Sequence, residues 1–235
     1  MSQQMNRSYR YYDLVMVAFV VVLVCSNLIG PAKAAELDLP LIGHVTFGAG
    51  VLFFPISYVF GDVLTEIYGY GRDRRVIWTG FAALVFASVM AWLVVALPPD
   101  PAWPNQKAYE IVFGNTWRIA GASMTAFLCG SFVNSYVLAK MKVASRGSGM
   151  ASRFVASTIA GEAVDSAIFY PLAFWNSGII ANELVMTLMF SQFVAKTGVE
   201  IVMLPVTTRV VNALKRIEGE DFFDRNTNFN PFKLS

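Results

Sequence analysis

The stretch VIWTGFAALVFASVMAWLVVAL, from Val76 to Leu97, contains no charged residue. A helix rises about 1.5 Å per residue, so about 20 residues cross a hydrocarbon core roughly 30 Å thick. Val76–Leu97 meets that length. It is bounded by Arg74-Arg75 before and by Pro98-Pro99-Asp100-Pro101 after, which is how a membrane helix is punctuated. Working outward, five more apolar segments of similar length appear: Tyr12–Ile29, Phe47–Tyr68, Trp117–Leu138, Phe154–Trp175 and Leu184 to roughly Val210. Gly30-Pro31, Gly69-Tyr70-Gly71-Arg72 and Arg146-Gly147-Ser148-Gly149 separate them. Leu14–Gly30 follows Arg7 and Arg10 as a signal core would. It is long for that role and is the first of a series, so it reads as the first span.

The composition agrees. Of 235 residues, 56% are apolar and only 14% charged, against about 25% charged in a typical soluble domain. The 19 Phe and 17 Gly suit helices close-packed in lipid. The expected fold is all-α, a polytopic six-helix transmembrane bundle over residues 12–211, with a segment 1–11 before it and a tail 212–235 after it. The stretch 36–46 suggests a hairpin or extended turn. Residues 102–116, with Trp103 and Tyr109, suggest either a short helix in the interface or an external loop. The Asn-rich tail after Gly219 is expected to be frayed or surface-bound.

A net charge of +2 does not argue for nucleic acid, and its distribution matters more than its sum. With six spans both termini lie on one side. That side carries 14 of the 18 Lys and Arg residues, in the termini and the loops 69–75 and 140–153. The positive-inside rule then places both termini in the cytoplasm. One histidine, His44, excludes a zinc site built on several imidazoles, and Cys25 and Cys129 lie in apolar stretches without metal-ligand spacing. No Walker loop, Gly-x-Ser-x-Gly or His-Glu-x-x-His motif is present, so neither ATP hydrolysis by that route nor proteolysis is expected.

Ionisable residues inside spans carry the functional signal, because each costs roughly 2.5–3.5 kcal/mol at a helix centre and must face protein or a polar cavity. Asp62 and Glu66 are four apart in the second segment, with Tyr58 on the same stripe. They suit a coupling or exit path, although Glu66 also fits a boundary carboxylate beside Arg72 or Arg74. Glu162 and Asp165, three apart in the fifth segment, need a cation or water between them. Gly161 before them admits a close neighbour, and Phe169, Tyr170 and Pro171 follow. In the sixth segment Lys196 and Glu200 are four apart, with Gln192 on the same stripe. Lys196 fits either a local pair with Glu200 or a partner for Glu162 or Asp165. Asn27, Ser131, Asn134 and Asn176 are weaker polar candidates. The stripe Gly121, Thr125, Cys129 suggests a packing face, which permits a homodimer without requiring one.

The run Phe54-Pro-Ile-Ser-Tyr-Val-Phe-Gly-Asp62-Val-Leu-Thr-Glu66-Ile-Tyr-Gly69 and the run Gly161-Glu-Ala-Val-Asp165-Ser-Ala-Ile-Phe169 resemble the two hallmark motifs of the queuosine precursor transporter family. Asn27 and Lys33 match polar positions after that family's first span, and Lys196 and Glu200 its last polar pair. The resemblance covers roughly residues 10–215. It implies uptake of 7-cyano-7-deazaguanine and/or 7-aminomethyl-7-deazaguanine across the bacterial inner membrane, and a fold like the six-helix substrate-binding subunits of energy-coupling-factor transporters. It implies substrate contacts at Glu162, Asp165, Lys196, Asn27, Tyr58, Phe169 and Gln192, a path through Asp62, Glu66 and Glu200, and neither cofactor nor metal. Two other classes stay open. One is a binding module needing an external energising complex, and the other an intramembrane enzyme using Glu162 and Asp165.

Overall fold

A computed structural model describes residues 9–29, 34–39, 43–48, 53–114, 117–178 and 181–233. The chain forms α1 (Tyr12–Leu28), a hairpin of β1 (Ala34–Leu39) and β2 (Gly43–Gly48), α2 (Phe54–Val63), α3 (Tyr70–Ala96), α4 (Gln106–Phe113), α5 (Trp117–Ala144), α6 (Met150–Phe174) and α7 (Asn182–Glu218). Leu64–Tyr68 continues α2 as a single wide π turn.

Three stretches among the described residues are long and apolar enough to cross a membrane: α3, Gln106–Ala144 containing α5, and α7. Their outward residues are large and apolar. Phe86 on α3 is 67% exposed and Val202 on α7 is 76% exposed, a surface that suits acyl chains rather than water. The protein is therefore a multi-pass helical membrane protein. The other helices depart from the expected series. Helix α1 is apolar but has 17 residues. The second segment differs most, because its first residues, Phe47 and Gly48, lie in β2. The β-hairpin pairs antiparallel, with Ala34 opposite Gly48 and Leu39 opposite Gly43. Helix α2 and its π turn have 10 and 5 residues and reach at most about 22 Å, short of a roughly 30 Å core. Of the two readings of residues 102–116, the helix is present as α4, and the described residues on either side of it are loop.

Val15, Phe19, Leu23 and Ser26 form the buried stripe of α1, at the i, i+4 spacing of one helix face. They pack on a core with Val63, Leu64, Ile67, Tyr68, Val76, Leu138, Phe154 and Val211. The tightest crossing joins α5 to α6. A Cβ at Gly161 would lie 2.8 Å from the Asn134 Cβ, and one at Gly130 would lie 3.0 Å from both the Gly161 carbonyl oxygen and the Asp165 Cβ. Only hydrogens fit there, and the two backbones meet directly. The contact stripe is Ala122, Ala126 and Gly130, all buried. It stands one residue on from the expected Gly121, Thr125, Cys129 stripe, and a Cβ at Gly121 would meet nothing within 4 Å. Small residues at every fourth position mark two adjacent stripes of α5, and only the partner's own glycine selects between them.

The tail is docked rather than frayed. After α7 ends at Gly219 in a left-handed turn (φ 59°), Phe222 donates its N–H to the Ile67 carbonyl and Asp224 accepts the Tyr70 N–H. Arg74 donates to the carbonyls of Asn228 and Asn230, and the Trp78 indole to that of Pro231. These bonds give the side chains at the start of α3 partners that the helix itself cannot supply.

Gly69 joins the π turn to α3 at φ 83°, a conformation that side chains disfavour. A Cβ there would lie 2.2 Å from the Phe222 ring. Gly69→Ala is therefore expected to destabilise the protein by about 1–3 kcal/mol and to undock the tail. A lowered thermal midpoint in detergent, together with faster proteolysis after Glu218, checks this.

Candidate functional site

Three groups of buried charge lie within the helices, and each has a different partner chemistry. The first joins α6 to α7. Lys196 Nζ lies 3.0 Å from Glu162 Oε2 and 2.9 Å from Asp165 Oδ2. Glu162 and Asp165 reach the same cation because three residues along a helix bring side chains to one face. Lys196 therefore bridges the α6 carboxylates rather than pairing with Glu200. The Gly130–Gly161 crossing fixes the height of this group, since Gly161 immediately precedes Glu162 and the Asp165 Cβ touches Gly130. Glu162 is nearly sealed at 4% side-chain exposure, whereas Asp165 keeps 22%. Asp165 is thus the more open edge of the group.

The second group closes the basic end of the bundle. Glu66 Oε1 lies 2.7 Å from Arg153 Nη2, 2.6 Å from Lys215 Nζ and 3.6 Å from Lys142 Nζ. Lys142 and Lys215 also reach Asp221 Oδ1, at 2.5 and 2.7 Å. This network ties the π turn, the end of α5, the start of α6, the end of α7 and the tail into one latch. Glu66 does not meet the arginines expected beside it. The turn at Gly69 sends Arg74 to the tail carbonyls, while Arg72 lies over the Tyr9 ring at 4.6 Å. The cations that do hold Glu66 come from distant helix ends, and spacing along the sequence carries no sign of them. The nearest signal is the clustering of basic residues at one end of every helix.

Asp221 lies outside the spans. Burial raises its carboxyl, but hydrogen bonds from the Lys142 and Lys215 ammonium groups outweigh that and hold it below the ordinary aspartate range. Asp224 shows the reverse. Burial pushes it up, against hydrogen bonds from Thr227 and the Tyr70 N–H.

The third group is Asp62 on α2 and Glu200 on α7. Their side chains are 1% and 3% exposed and lie within hydrogen-bonding reach of each other. Thr158 of α6 donates its hydroxyl to Glu200 Oε1. Asp62 and Glu66, four apart in sequence, thus have different partners. The π turn begins between them at Leu64, contains Glu66 and widens the helix, as such turns do at many functional sites. A further buried carboxylate, Asp73 of α3, accepts hydroxyl bonds from Thr65 and Ser135.

The weaker candidates spread out. Asn27 donates to the Leu23 carbonyl and accepts from Ser123 of α5, which is helix-joining chemistry. Phe169 is half-buried among Tyr170 and Phe174, with ring centroids 5.2 and 5.7 Å away. Gln192 is exposed on α7, and Asn176 exchanges hydrogen bonds with Asn182 at the far loop. Tyr58 lies in α2 with its side chain outside the described residues, as do the side chain of His44 and all of Lys33. No group of three or more His, Cys, Asp or Glu among the described residues could hold a metal ion.

The family model described as "Putative vitamin uptake transporter" matches residues 48–210, which hold the first and third charge groups and Glu66, Lys142 and Arg153 of the second. The chain belongs to that family. Its relatives bear out the resemblance read from the two acidic motifs. The "Probable queuosine precursor transporter" of Bacillus subtilis (strain 168) is 28% identical over 185 residues, 77% of this chain and 76% of that protein. The "Queuosine precursor transporter" of Escherichia coli (strain K12) is 28% identical over 159 residues, 67% of this chain and 66% of that protein. No solved structure matches the chain. A member of a transporter family moves a solute through its bundle rather than converting it.

Replacing Glu66 with Gln leaves buried cations without their main counter-charge. Breaking such a network costs about 3–5 kcal/mol, so Glu66→Gln is expected to lower the thermal midpoint sharply, while Asp221→Asn, at a site 45% exposed, costs no more than about 1 kcal/mol. Because the folded-state value of Asp221 is depressed, its stabilisation is present above the ordinary value of about 3.9 and is lost as pH falls through the folded value. Thermal unfolding of the wild type and Asp221→Asn from pH 7 to pH 3 should show the two converging at the acid end.

Proposed function

We propose that the chain is an uptake transporter for queuosine precursors, 7-cyano-7-deazaguanine and/or 7-aminomethyl-7-deazaguanine, in the bacterial inner membrane. The observation that carries this reading is the Lys196 bridge to Glu162 and Asp165, with Asp165 still partly open. A deazaguanine presents a ring N–H and an exocyclic amino group side by side. A carboxylate accepts that edge through two parallel hydrogen bonds, and charge-assisted bonds of this kind are the strong ones. Lys196 supplies a donor for the lactam oxygen on the same ring. It also offsets one of the two carboxylate charges when no solute is bound, which lowers the cost of the empty site in a low-dielectric interior.

Phe169, with Tyr58 and Trp175, supplies faces for the ring to stack on, a contact that tolerates substituents at the 7-position. Trp175 is 44% exposed and Phe169 half-buried, so both have a free face to offer. The printed names of the two relatives support the same solute class. In this reading six segments span the bilayer. Both termini are cytoplasmic, where the Glu66 latch and the docked tail close the inner end. The small-residue stripe left over on α5 leaves room for a second copy.

Uptake of labelled 7-cyano-7-deazaguanine by precursor-auxotrophic cells tests the reading. At equal membrane abundance, Glu162→Gln and Asp165→Asn are each expected to lower the initial rate about tenfold or more, the loss of one charged hydrogen bond. Wild-type rates in both would remove these carboxylates from the site.

A further inference from the structure

Among the described residues, the buried acids differ in what answers their charge. Glu162 and Asp165 share Lys196. Glu66 holds Arg153, Lys215 and Lys142. Asp73 accepts two hydroxyl bonds. Asp62 and Glu200 face each other with no Lys or Arg among the described residues within salt-bridge distance. Asp62 Oδ1 and Glu200 Oε2 are both buried from solvent and find no donor. The other Glu200 oxygen already accepts from Thr158.

Two bare carboxylates sealed from water and within hydrogen-bonding reach of each other are not a stable arrangement in an apolar interior. The surroundings do not relieve it. Glu66 and Asp73 face Asp62 from the π turn and α3, and Glu162 faces Glu200 from α6, and all of these are acids. The nearest cation along α7 is Lys196, and both of its α6 partners hold it. A metal ion needs a fuller set of oxygen ligands than two carboxylates and a hydroxyl that is itself donating. A single proton needs nothing more. It turns one carboxyl into a donor for the other and removes one unit of negative charge.

We propose that Asp62 and Glu200 form a proton-binding site in which one proton is shared between the two carboxyl groups. The step is a simple protonation, with no bond broken in the protein. Its use in transport rests on the reading above. Glu200 lies one helical turn beyond Lys196 on the same face of α7. A solute that takes over the Glu162 and Asp165 oxygens loosens Lys196, and Lys196 can then serve Glu200 in place of the proton. Lys196 and the proton are thus alternative counter-charges for one carboxylate, which links the proton to occupancy of the solute site.

Infrared spectroscopy of the full chain in liposomes at pH 7 tests the site. The wild type is expected to show a protonated-carboxyl carbonyl band that shifts in deuterium oxide. The band should vanish in Asp62→Asn and in Glu200→Gln and persist in Glu162→Gln. Carboxyl-13C labelling of aspartate in one wild-type sample, and of glutamate in another, gives the assignment without substitutions and covers the case of a variant that does not fold. The band should shift in at least one of the two samples. No such band in the wild type, a band unmoved by both labels, or a band that survives both substitutions would overturn the proposal. So would its loss when sodium chloride replaces choline chloride, since that would mean a metal cation takes the position. None of these readouts uses a deazaguanine. If uptake of the labelled base fails while the band behaves as expected, the solute assignment falls and the proton site stands.

Discussion

A charge in lipid has to be neutralised or hydrated within the protein, and this constraint organises the whole molecule. The spans are so apolar that each polar group within them has few places to go. Lys196 draws α6 and α7 together through Glu162 and Asp165. Glu66 draws in the ends of α5, α6 and α7 through three cations. Asp62 and Glu200 join α2 to α7 without any cation. Removing these contacts would leave α6 and α7 with only apolar faces against each other, and lipid competes with such faces on nearly equal terms.

The close-packed contacts serve the charged ones. The Gly130–Gly161 crossing holds α5 against α6 at the level of the acid pair, so Glu162 and Asp165 are set by backbone contact rather than by flexible side chains. The helix widens into the π turn between Asp62 and Glu66, and the two acids have different partners, Glu200 for one and the basic latch for the other. The tail then covers that latch, bringing Asp221 to two of its lysines and Phe222 to Gly69. A transporter needs a middle that can change occupancy and an end that can stay closed, and the two carboxylates of one short helix fall on either side of that division.

Much of the candidate site was legible in the sequence because charged residues stand out against apolar runs. Glu162, Asp165 and Lys196 were visible as intramembrane ions, and their family motifs pointed to a solute class. The partner of Lys196 was left open between Glu200 and the α6 acids, and both have suitable spacing. The latch residues Lys142, Arg153, Lys215 and Asp221 were legible only as cytoplasmic charge. Their convergence on Glu66 depends on where five separate chain segments end in space.

By itself, the sequence determined that the chain is helical and lives in a bilayer, because hydropathy and helix rise act locally and need no partner. It also determined which residues had to be buried with company, since the cost of a lone charge in lipid is a property of the residue and its depth. Tertiary structure alone decided who that company is. Counter-charges meet across helices, and the crossing point of α5 and α6, the widened turn after Val63 and the path of the tail set those meetings. A pair such as Asp62 and Glu200, distant along the chain and alike in charge, has no signature in sequence because nothing in either segment alone calls for the other.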